Sequence, residues 1–395
     1  MSATGFPYTV FAGQYGSWPE PMDGGITVLG VSRDGSQLEA LSTIETPGEA
    51  GYLVYAPTTK TLYSVDERKT DGRGPVKPPA AVHALRFNPN DDTLSPLNVT
   101  RSVGAYPTYL NISAKQDRLL TVSHGSFDHV ERVIKTAGGW STEYLYDDAT
   151  VVLNKLNADG SVGEVLDVAI FNDHGTDPNS SFQAGGHGQA SGHAHCAVYH
   201  PGGELVAVCD KATDLITIFN ISGDELEPLS VFDCGPETGP RHLVFNSLGT
   251  RAYATLEFSS ELAAFSFDAA TGRLALIGRV KSAASDYTDP NEPADLRIHP
   301  NGAVVYVNNR GEDSLAWFDV SAEQPVRLGS VPLGKSVHPG LAARSFIISP
   351  DGSFLLVADR SSSLVRSYAV SADGSLTAIG ELHVPNVAYL ELHAS

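Results

Sequence analysis

One unit recurs six times along this chain of 395 residues, and it constrains the fold more than any other feature of the sequence. Each copy consists of a short apolar strand, a turn built on Pro or Gly, and a second apolar strand that ends in polar residues. The copies span residues 51–67, 108–124, 195–210, 241–257, 294–310 and 344–360. A third strand, a Gly-containing turn and a fourth strand usually follow. Four short antiparallel strands in roughly 50 residues indicate one blade of a β-propeller.

The two ends of the chain supply the strands of one further blade. The N-terminal segments YTVFAGQY, ITVLGVS and LEALSTIE predict a second, third and fourth strand, whereas the C-terminal segment NVAYLELH predicts a first strand. Joining these segments closes the ring and removes an open sheet edge. The sequence therefore predicts an all-β, seven-bladed β-propeller with four-stranded antiparallel blades. We expect a single domain over residues 1–395, with loop insertions within residues 125–190.

Composition and charge exclude several classes of protein. Hydrophobic residues make up 42% of the chain and charged residues 18%, as in an ordinary globular protein. A net charge of −20 argues against a nucleic-acid partner and against an anionic membrane surface, because both select clustered Lys and Arg. The sequence has neither a long apolar span nor the pattern of a signal peptide, so we expect no membrane partner and a cytoplasmic location. Three cysteines without a CxxC motif predict no disulfide framework.

Polar residues at the strand ends predict where a site lies. In an antiparallel pair the start of the first strand lies beside the end of the second. The second strands end at Tyr15, Glu67, His124, Asp210, Glu257, Arg310 and Arg360, and the first strands open at Gly51, Thr108, His195, Arg241, Ala294 and Arg344. Because the first strands line the channel of a propeller, we expect both sets around one channel mouth. The opposite turns contain Asn, Asp, Gly and Pro, so we place the site at the charged mouth.

Four blocks of the sequence resemble a known family. They are HAHCAVYHP, GPRHLVFNSLGTRAYATLE, NEPADLRIHPNGAVVYVNNRGEDSLAWF and RSFIISPDGSFLLVADR. The chain resembles, over essentially its whole length, the seven-bladed propeller lactonases, which include 6-phosphogluconolactonases and 3-carboxy-cis,cis-muconate lactonizing enzymes. The resemblance implies that His195, Arg241, Glu257 and Arg310 form the site. Gln189 fits the family pattern, whereas Gly192 replaces its usual Pro and His124 replaces its usual Asn.

Each residue of this set has a chemical role that suits it. His195 suits a general acid or base, since imidazole titrates near neutrality, and it also suits a histidine that caps a strand and bonds the loop backbone. Arg241 and Arg310 suit a carboxylate or phosphate group through paired hydrogen bonds, and they also suit ion pairs that join neighbouring blades. Glu257 is either a second acid or base or the counter-ion of an arginine, and its pKa distinguishes these roles. Six further residues are candidates for substrate binding, namely His193, Arg344, Glu67, His124, Arg360 and Gln189.

A zinc site is the alternative interpretation of the histidine-rich stretch GHGQASGHAHCAVYHP. His187, His193 and His195 are its candidate ligands, because two histidines separated by one residue do bind metals. No Asp or Glu follows at a ligand spacing, and a catalytic zinc needs three protein ligands with fixed supporting partners. We therefore expect neither a metal nor another cofactor.

Three functions follow from this site, in order of preference. The first is hydrolysis of a small anionic lactone in the manner of a 6-phosphogluconolactonase, with histidine and glutamate as acid and base and arginines binding the anion. The second is the reverse type of reaction, in which a lactonizing enzyme cyclises a carboxylated cis,cis-muconate. The third is a propeller scaffold without catalysis, since a fold alone implies no activity. The predicted partner is a small anionic lactone or carboxylate, and the oligomeric state stays open.

Overall fold

The computed structural model describes residues 5–16, 24–69, 80–175, 188–337 and 341–394. Within these ranges the strands form seven four-stranded antiparallel sheets and one separate hairpin. The seven sheets confirm the predicted seven-bladed β-propeller. No helix in the described ranges is long and apolar enough to cross a membrane.

Blade 1 joins the two ends of the chain, as the sequence predicts. Its inner strand is β30 (Val387–Ala394), and β1 (Tyr8–Gln14), β2 (Gly25–Val31) and β3 (Leu38–Ile44) follow outward. Strand β1 pairs with β30 over its whole length, so the ring closes through backbone hydrogen bonds. This closure pairs the edge of β1 that would otherwise be open.

The other blades follow the chain order from inside to outside. Blade 2 contains β4 (Leu53–Ala56), β5 (Thr61–Asp66), β6 (Ala81–Asn88) and β7 (Thr93–Arg101). Blade 3 contains β8 (Pro107–Ile112), β9 (Arg118–Ser123), β12 (Ala149–Leu156) and β13 (Val162–Phe171). Blade 4 contains β14 (Ala194–Tyr199), β15 (Leu205–Asp210), β16 (Leu215–Ser222) and β17 (Glu225–Asp233).

The last three blades repeat this arrangement. Blade 5 contains β18 (Pro240–Phe245), β19 (Arg251–Leu256), β20 (Glu261–Asp268) and β21 (Arg273–Lys281). Blade 6 contains β22 (Glu292–Ile298), β23 (Val304–Arg310), β24 (Ser314–Asp319) and β25 (Val326–Pro332). Blade 7 contains β26 (Ser345–Ile348), β27 (Phe354–Asp359), β28 (Leu364–Val370) and β29 (Leu376–His383), with a short 3-10 helix at Arg360–Ser362.

Residues 125–190 differ from the predicted loop insertions. The region contains the two outer strands of blade 3 and a hairpin of β10 (His129–Thr136) and β11 (Gly139–Tyr146). The hairpin makes no extensive contact with another strand in the described residues, and it projects between β9 and β12. Its polar, weakly alternating sequence gave no strand signal, which explains the difference.

The core lies between the blades and follows from the strand patterns. The second strand of a blade, such as β5 or β27, is buried at every position because both of its faces pack on neighbouring blades. An outer strand such as β25 alternates between exposed and half-buried residues, as expected for a strand with one face in solvent. Phe11 of blade 1 and Phe87 of blade 2 meet edge to face at 5.1 Å, an example of the aromatic contacts between blades.

Candidate active site

A cavity of about 350 Å³ lies at one mouth of the propeller channel. Its wall combines residues from the two sets of strand ends with a segment that follows β9. The lining residues are Glu67, Tyr106, Thr108, His124, Gly125, Ser126, Phe127, Asp128, His195, Lys211, Arg241, Glu257, Arg310 and Arg344. The backbone register explains this convergence, because Ala194 pairs with Asp210 and Glu292 pairs with Arg310 at the same end of their blades.

Irregular pairing at the start of the inner strands directs several of these side chains toward the cavity. The ladder skips Thr108 in blade 3, His195 in blade 4, Arg241 and His242 in blade 5, and Ala294 and Asp295 in blade 6. Such bulges leave a residue out of the ladder, bend the strand and are over-represented beside active sites. Three cavity residues, Thr108, His195 and Arg241, therefore come from bulges in adjacent blades.

Glu257 lies at the centre of a cluster of buried charges. Its Oε2 is 2.8 Å from Nε of Arg241, and its Oε1 is 3.2 Å from Nη2 of Arg310 and 3.4 Å from Nζ of Lys211. Burial opposes ionisation of the carboxyl, but the charges of Lys211, Arg310 and Arg241 outweigh it and lower the pKa of Glu257 to about 2. Glu257 is therefore a carboxylate at neutral pH, held by three cations.

Arg241 stays protonated within the cluster. Burial and the nearby charge of Arg310 lower the pKa of Arg241 to about 10, which still leaves it charged at neutral pH. Arg310 also lies 3.1 Å from Oε2 of Glu292. Three cations and two carboxylates thus give this cluster a net charge of +1 within a protein of net charge −20.

A second group of charges lies across the cavity. Nη2 of Arg344 is 3.4 Å from Oε1 of Glu67, and the Tyr15 hydroxyl donates a hydrogen bond to Oε2 of Glu67. Burial raises the pKa of the Tyr15 phenol, so this hydroxyl keeps its proton. Glu67 and Arg344 therefore offer the cavity an ion pair that a tyrosine holds in place.

His195 combines burial with an unused ring nitrogen. The residue is 5% exposed and lies between the rings of His124 and His242, with centroids 5.4 Å and 5.1 Å away. Its Nδ1 has no hydrogen-bond partner in the described part of the chain. Burial, together with the charge of Arg241 and the neighbouring His242, holds the pKa of His195 well below its usual value. The imidazole is therefore neutral at physiological pH and able to accept a proton.

His242 lies behind Arg241 and fixes its direction. Its Nδ1 is 3.0 Å from Oδ1 of Asp295, and Nη1 of Arg241 is 3.2 Å from its Nε2. Arg241 can only donate, so Nε2 is the acceptor and Nδ1 carries the proton donated to Asp295. Burial and the charge of Arg241 lower the pKa of His242 to about 4, consistent with this neutral form.

The family assignment rests on almost the whole chain. A family model described as lactonase, 7-bladed beta-propeller matches residues 9–391. The chain belongs to the seven-bladed β-propeller lactonase family. This confirms the resemblance seen in the sequence blocks.

Known proteins that are similar to this chain differ in how much of its length they match. A protein of Lactococcus lactis subsp. cremoris is 30% identical over 234 residues, which are 59% of this chain and 64% of that protein. The 6-phosphogluconolactonase of Formosa agariphila is 24% identical over 354 residues, which are 87% of this chain and 88% of that enzyme. A crystal structure from Bacteroides fragilis, described as a candidate 6-phosphogluconolactonase, superposes with a TM-score of 0.79 at 26% identity. The superposition covers 100% of this chain and 99% of the Bacteroides fragilis chain.

Seven of the residues proposed from the sequence meet in this cavity. They are Glu67, His124, His195, Arg241, Glu257, Arg310 and Arg344. All four residues carried over from the family, His195, Arg241, Glu257 and Arg310, are among them. The strand-end positions therefore predicted which side chains share one cavity.

The structure places three other candidates outside the lining of the cavity. His193 stacks on His124 with centroids 4.4 Å apart, and its Nδ1 is 2.8 Å from the backbone oxygen of His124. Nε2 of Gln189 donates to the backbone oxygen of Lys211 at 3.3 Å. Nε of Arg360 donates to Asn386 at 2.5 Å. None of these three side chains lines the cavity formed by the described residues, and their contact with substrate stays a prediction.

Local backbone geometry explains two of these positions. His193 precedes β14, and the bulge after Ala194 breaks the alternation that would place His193 and His195 on one side. Strand β27 ends at Asp359, so Arg360 opens the 3-10 helix and its guanidinium lies 4.4 Å above the Tyr15 ring.

The metal alternative finds no support in the described residues. No three His, Cys, Asp or Glu side chains among them come close enough to hold a metal ion. His187 lies outside the described residues. His200 bonds the backbone oxygen of Gly249 through Nε2 at 2.9 Å, in a turn at the far end of blade 4.

Lys211, Tyr106, Phe127 and Asp128 line the cavity although the sequence did not single them out. Lys211 offered a signal, since it directly follows the strand-end residue Asp210. Phe127 and Asp128 follow β9 in a region without periodicity, so no pattern placed them over the channel mouth. Lys211 is the most informative of the four because it is a buried cation.

Proposed function

We propose that this protein hydrolyses a small anionic lactone of the sugar type, as a 6-phosphogluconolactonase does. One observation carries the proposal: the neutral imidazole of His195 shares a cavity with a cluster of net charge +1 formed around Glu257. A positive cavity in a protein of net charge −20 favours an anionic ligand. A neutral imidazole that lines this cavity favours activation of water.

The proposed chemistry assigns one task to each residue. His195 takes a proton from water as the water oxygen attacks the lactone carbonyl. The carbonyl oxygen gains negative charge, which Arg241 and Arg310 offset as fixed cations. Fixed charges of this kind, excluded from water, stabilise a transition state without having to reorganise.

Glu257 acts in this proposal as the counter-ion that holds the cations. A general acid must carry a proton at working pH, and a carboxyl with a pKa of about 2 does not. Its contacts with Arg241, Arg310 and Lys211 instead fix three positive groups around the cavity. Of the two roles that the sequence left open for Glu257, the counter-ion is thus better supported.

A scaffold without catalysis receives less support from the same geometry. That function would require arginines fully neutralised by acidic neighbours and no open cavity. The cluster instead keeps a net charge of +1, and a cavity of about 350 Å³ opens beside it.

The test is an activity assay on two substrate types. The purified protein is given 6-phosphogluconolactone and 3-carboxy-cis,cis-muconate, with acid release followed by pH-stat and muconate followed by absorbance. We expect lactone hydrolysis that falls about 100-fold or more in His195→Gln and in Arg241→Gln. His299→Gln is a matched control, because His299 bonds Gly352 in a turn at the opposite mouth.

The outcomes separate the alternatives. Muconate turnover without lactone hydrolysis would establish the lactonizing reaction instead. No turnover of either substrate, by a protein that is folded, would favour the scaffold. Wild-type rates in folded His195→Gln and Arg241→Gln would remove these residues from the mechanism.

A further inference from the structure

Lys211 is a buried cation that lines the cavity. The residue directly follows β15, its side chain is 5% exposed, and it lines the cavity. Its Nζ lies 5.4 Å from the ring centre of Phe127 and 5.8 Å from that of Phe258. A buried ammonium costs free energy that an apolar side chain of similar size would not. Its position beside the reacting groups therefore calls for a chemical explanation.

Lactone hydrolysis needs a proton at a second place. When the tetrahedral intermediate collapses, the ring oxygen leaves as an alkoxide, which is a strong base and a poor leaving group. An arginine cannot release a proton at working pH, and Glu257 has none to give. His195 begins the reaction neutral, as the base, and carries a proton once it has taken one from water. Lys211 and the Tyr106 phenol are other cavity residues that carry a proton to donate.

We propose that Lys211 is the general acid that protonates the ring oxygen of the lactone as the carbon–oxygen bond breaks. This inference rests on the function proposed above. Its position favours it over Tyr106, because Nζ lies 3.4 Å from the carboxylate that also binds Arg241 and Arg310. The ammonium is thus adjacent to the cations that offset the carbonyl charge.

The protons and electrons balance over one turnover. His195 takes one proton from water, and the remaining hydroxide forms a bond to the carbonyl carbon. The carbonyl re-forms, the bond to the ring oxygen breaks, and that oxygen keeps the electron pair and takes a proton from Nζ of Lys211. The new carboxylic acid then returns its proton to the neutral amine, and His195 releases its proton to solvent. The net products are a hydroxycarboxylate and one proton.

The surroundings of Lys211 make it a better acid. Burial lowers the pKa of its ammonium, and Glu257 opposes this shift while Arg241 and Arg310 add to it. A more acidic ammonium transfers its proton more readily to a developing alkoxide.

The test compares leaving groups in two variants. Lys211→Arg keeps the charge without a transferable proton, and Lys211→Met keeps neither. Each is assayed on 6-phosphogluconolactone, whose ring oxygen leaves as an alkoxide, and on dihydrocoumarin, whose ring oxygen leaves as a weakly basic phenolate. We expect kcat on the first substrate to fall about 100-fold or more in Lys211→Arg, and kcat on dihydrocoumarin to fall about threefold or less.

A pH profile supplies a second readout on 6-phosphogluconolactone alone. In the wild type kcat/KM falls on the alkaline side as the ammonium loses its proton, and in Lys211→Arg this alkaline limb is absent. Lys281→Arg is the matched control, since Lys281 is an exposed lysine paired with Glu261 on an outer strand. Thermal melting shows which variants fold. If the larger guanidinium of Lys211→Arg does not fit, the comparison of the two substrates is made with Lys211→Met.

Three results would overturn the inference. Wild-type kcat of Lys211→Arg on 6-phosphogluconolactone would show that only the charge matters. Equal losses on both substrates, with the alkaline limb retained, would show a structural role. A leaving-group dependence found in Tyr106→Phe instead would assign the proton to Tyr106. If the wild type hydrolyses no lactone, the proposed function fails first and this inference falls with it.

Discussion

The imidazole of His242 donates from Nδ1 to Oδ1 of Asp295 across 3.0 Å, and this contact joins blade 5 to blade 6. Both residues lie in the bulges that open their inner strands. The other ring nitrogen accepts from Arg241 at 3.2 Å, so the carboxylate fixes the tautomer that the arginine requires. The direction of a cavity cation thus depends on a carboxylate in the next blade.

Asp295→Asn should therefore impair catalysis through Arg241. An amide in place of the carboxylate weakens the bond that holds His242 in one tautomer, and Arg241 loses its fixed acceptor. We expect kcat/KM for the lactone to fall about tenfold to 100-fold, in the range found when supporting partners of a site are removed. Steady-state kinetics on 6-phosphogluconolactone measure the change. Asp268→Asn, at the exposed end of β20, is the control, and an equal loss there would contradict this account.

Glu257→Gln tests whether this residue is a counter-ion or a proton donor. Removing the carboxylate leaves Lys211, Arg241 and Arg310 buried together without their shared partner, so we expect a loss of about 3–5 kcal/mol in the free energy of unfolding. Urea unfolding measures the loss, and added phosphate should restore part of it by binding the cations. Glu261→Gln is the control, since its partners Arg279 and Lys281 lie on an outer strand. Unchanged stability with lost activity would favour the proton donor.

Backbone register made much of the site predictable. The start of an inner strand pairs with the end of its neighbour, as Ala194 with Asp210 and Pro240 with Leu256, so strand-end residues of successive blades share one mouth. Apolar periodicity and turn residues locate those strand ends in the sequence. The position of His195, and the sharing of Glu257 by neighbouring blades, follow from that logic.

Features outside the regular ladder were not predictable. A bulge shifts alternation by one residue, and neither the irregular pairing at His195 nor that at Arg241 has a distinct sequence signature. The contact between His242 and Asp295 joins two bulges, so strand alternation could not reveal it. Phe127 closes over the cavity from a segment between strands, where no periodicity applies. The cytoplasmic location and the single-domain organisation stay predictions.

Acid should destabilise the fold through its buried histidines. Burial, with the nearby charge of Lys211 for His193 and of Arg241 for His242, lowers the pKa of each to about 4. The unfolded chain binds these protons near pH 6.5, so the stabilising contribution is complete above that pH and is lost as the pH falls toward 4. The expected slope is about 1.4 kcal/mol per pH unit for each histidine. Urea unfolding between pH 7.5 and about 4.5 measures this slope. His193→Gln removes one of the titrating histidines, so it should reduce the slope by about 1.4 kcal/mol per pH unit. An unchanged slope would contradict the neutral form of His193.

The β10–β11 hairpin should be dispensable for the fold. Its large apolar side chains are exposed, with Val133 at 75% and Trp140 at 74%, and they bury little surface against the propeller. Because hydrophobic stabilisation scales with buried apolar area, replacing residues 129–146 by a short Gly-Ser linker should change the melting temperature by only about 2 °C or less. Phe127 and Asp128 stay in place, so small lactones should still be hydrolysed, whereas selectivity among bulkier lactones should change. Calorimetry and assays on lactones of graded size check both parts. A large drop in melting temperature would show that the hairpin packs against the blades in solution.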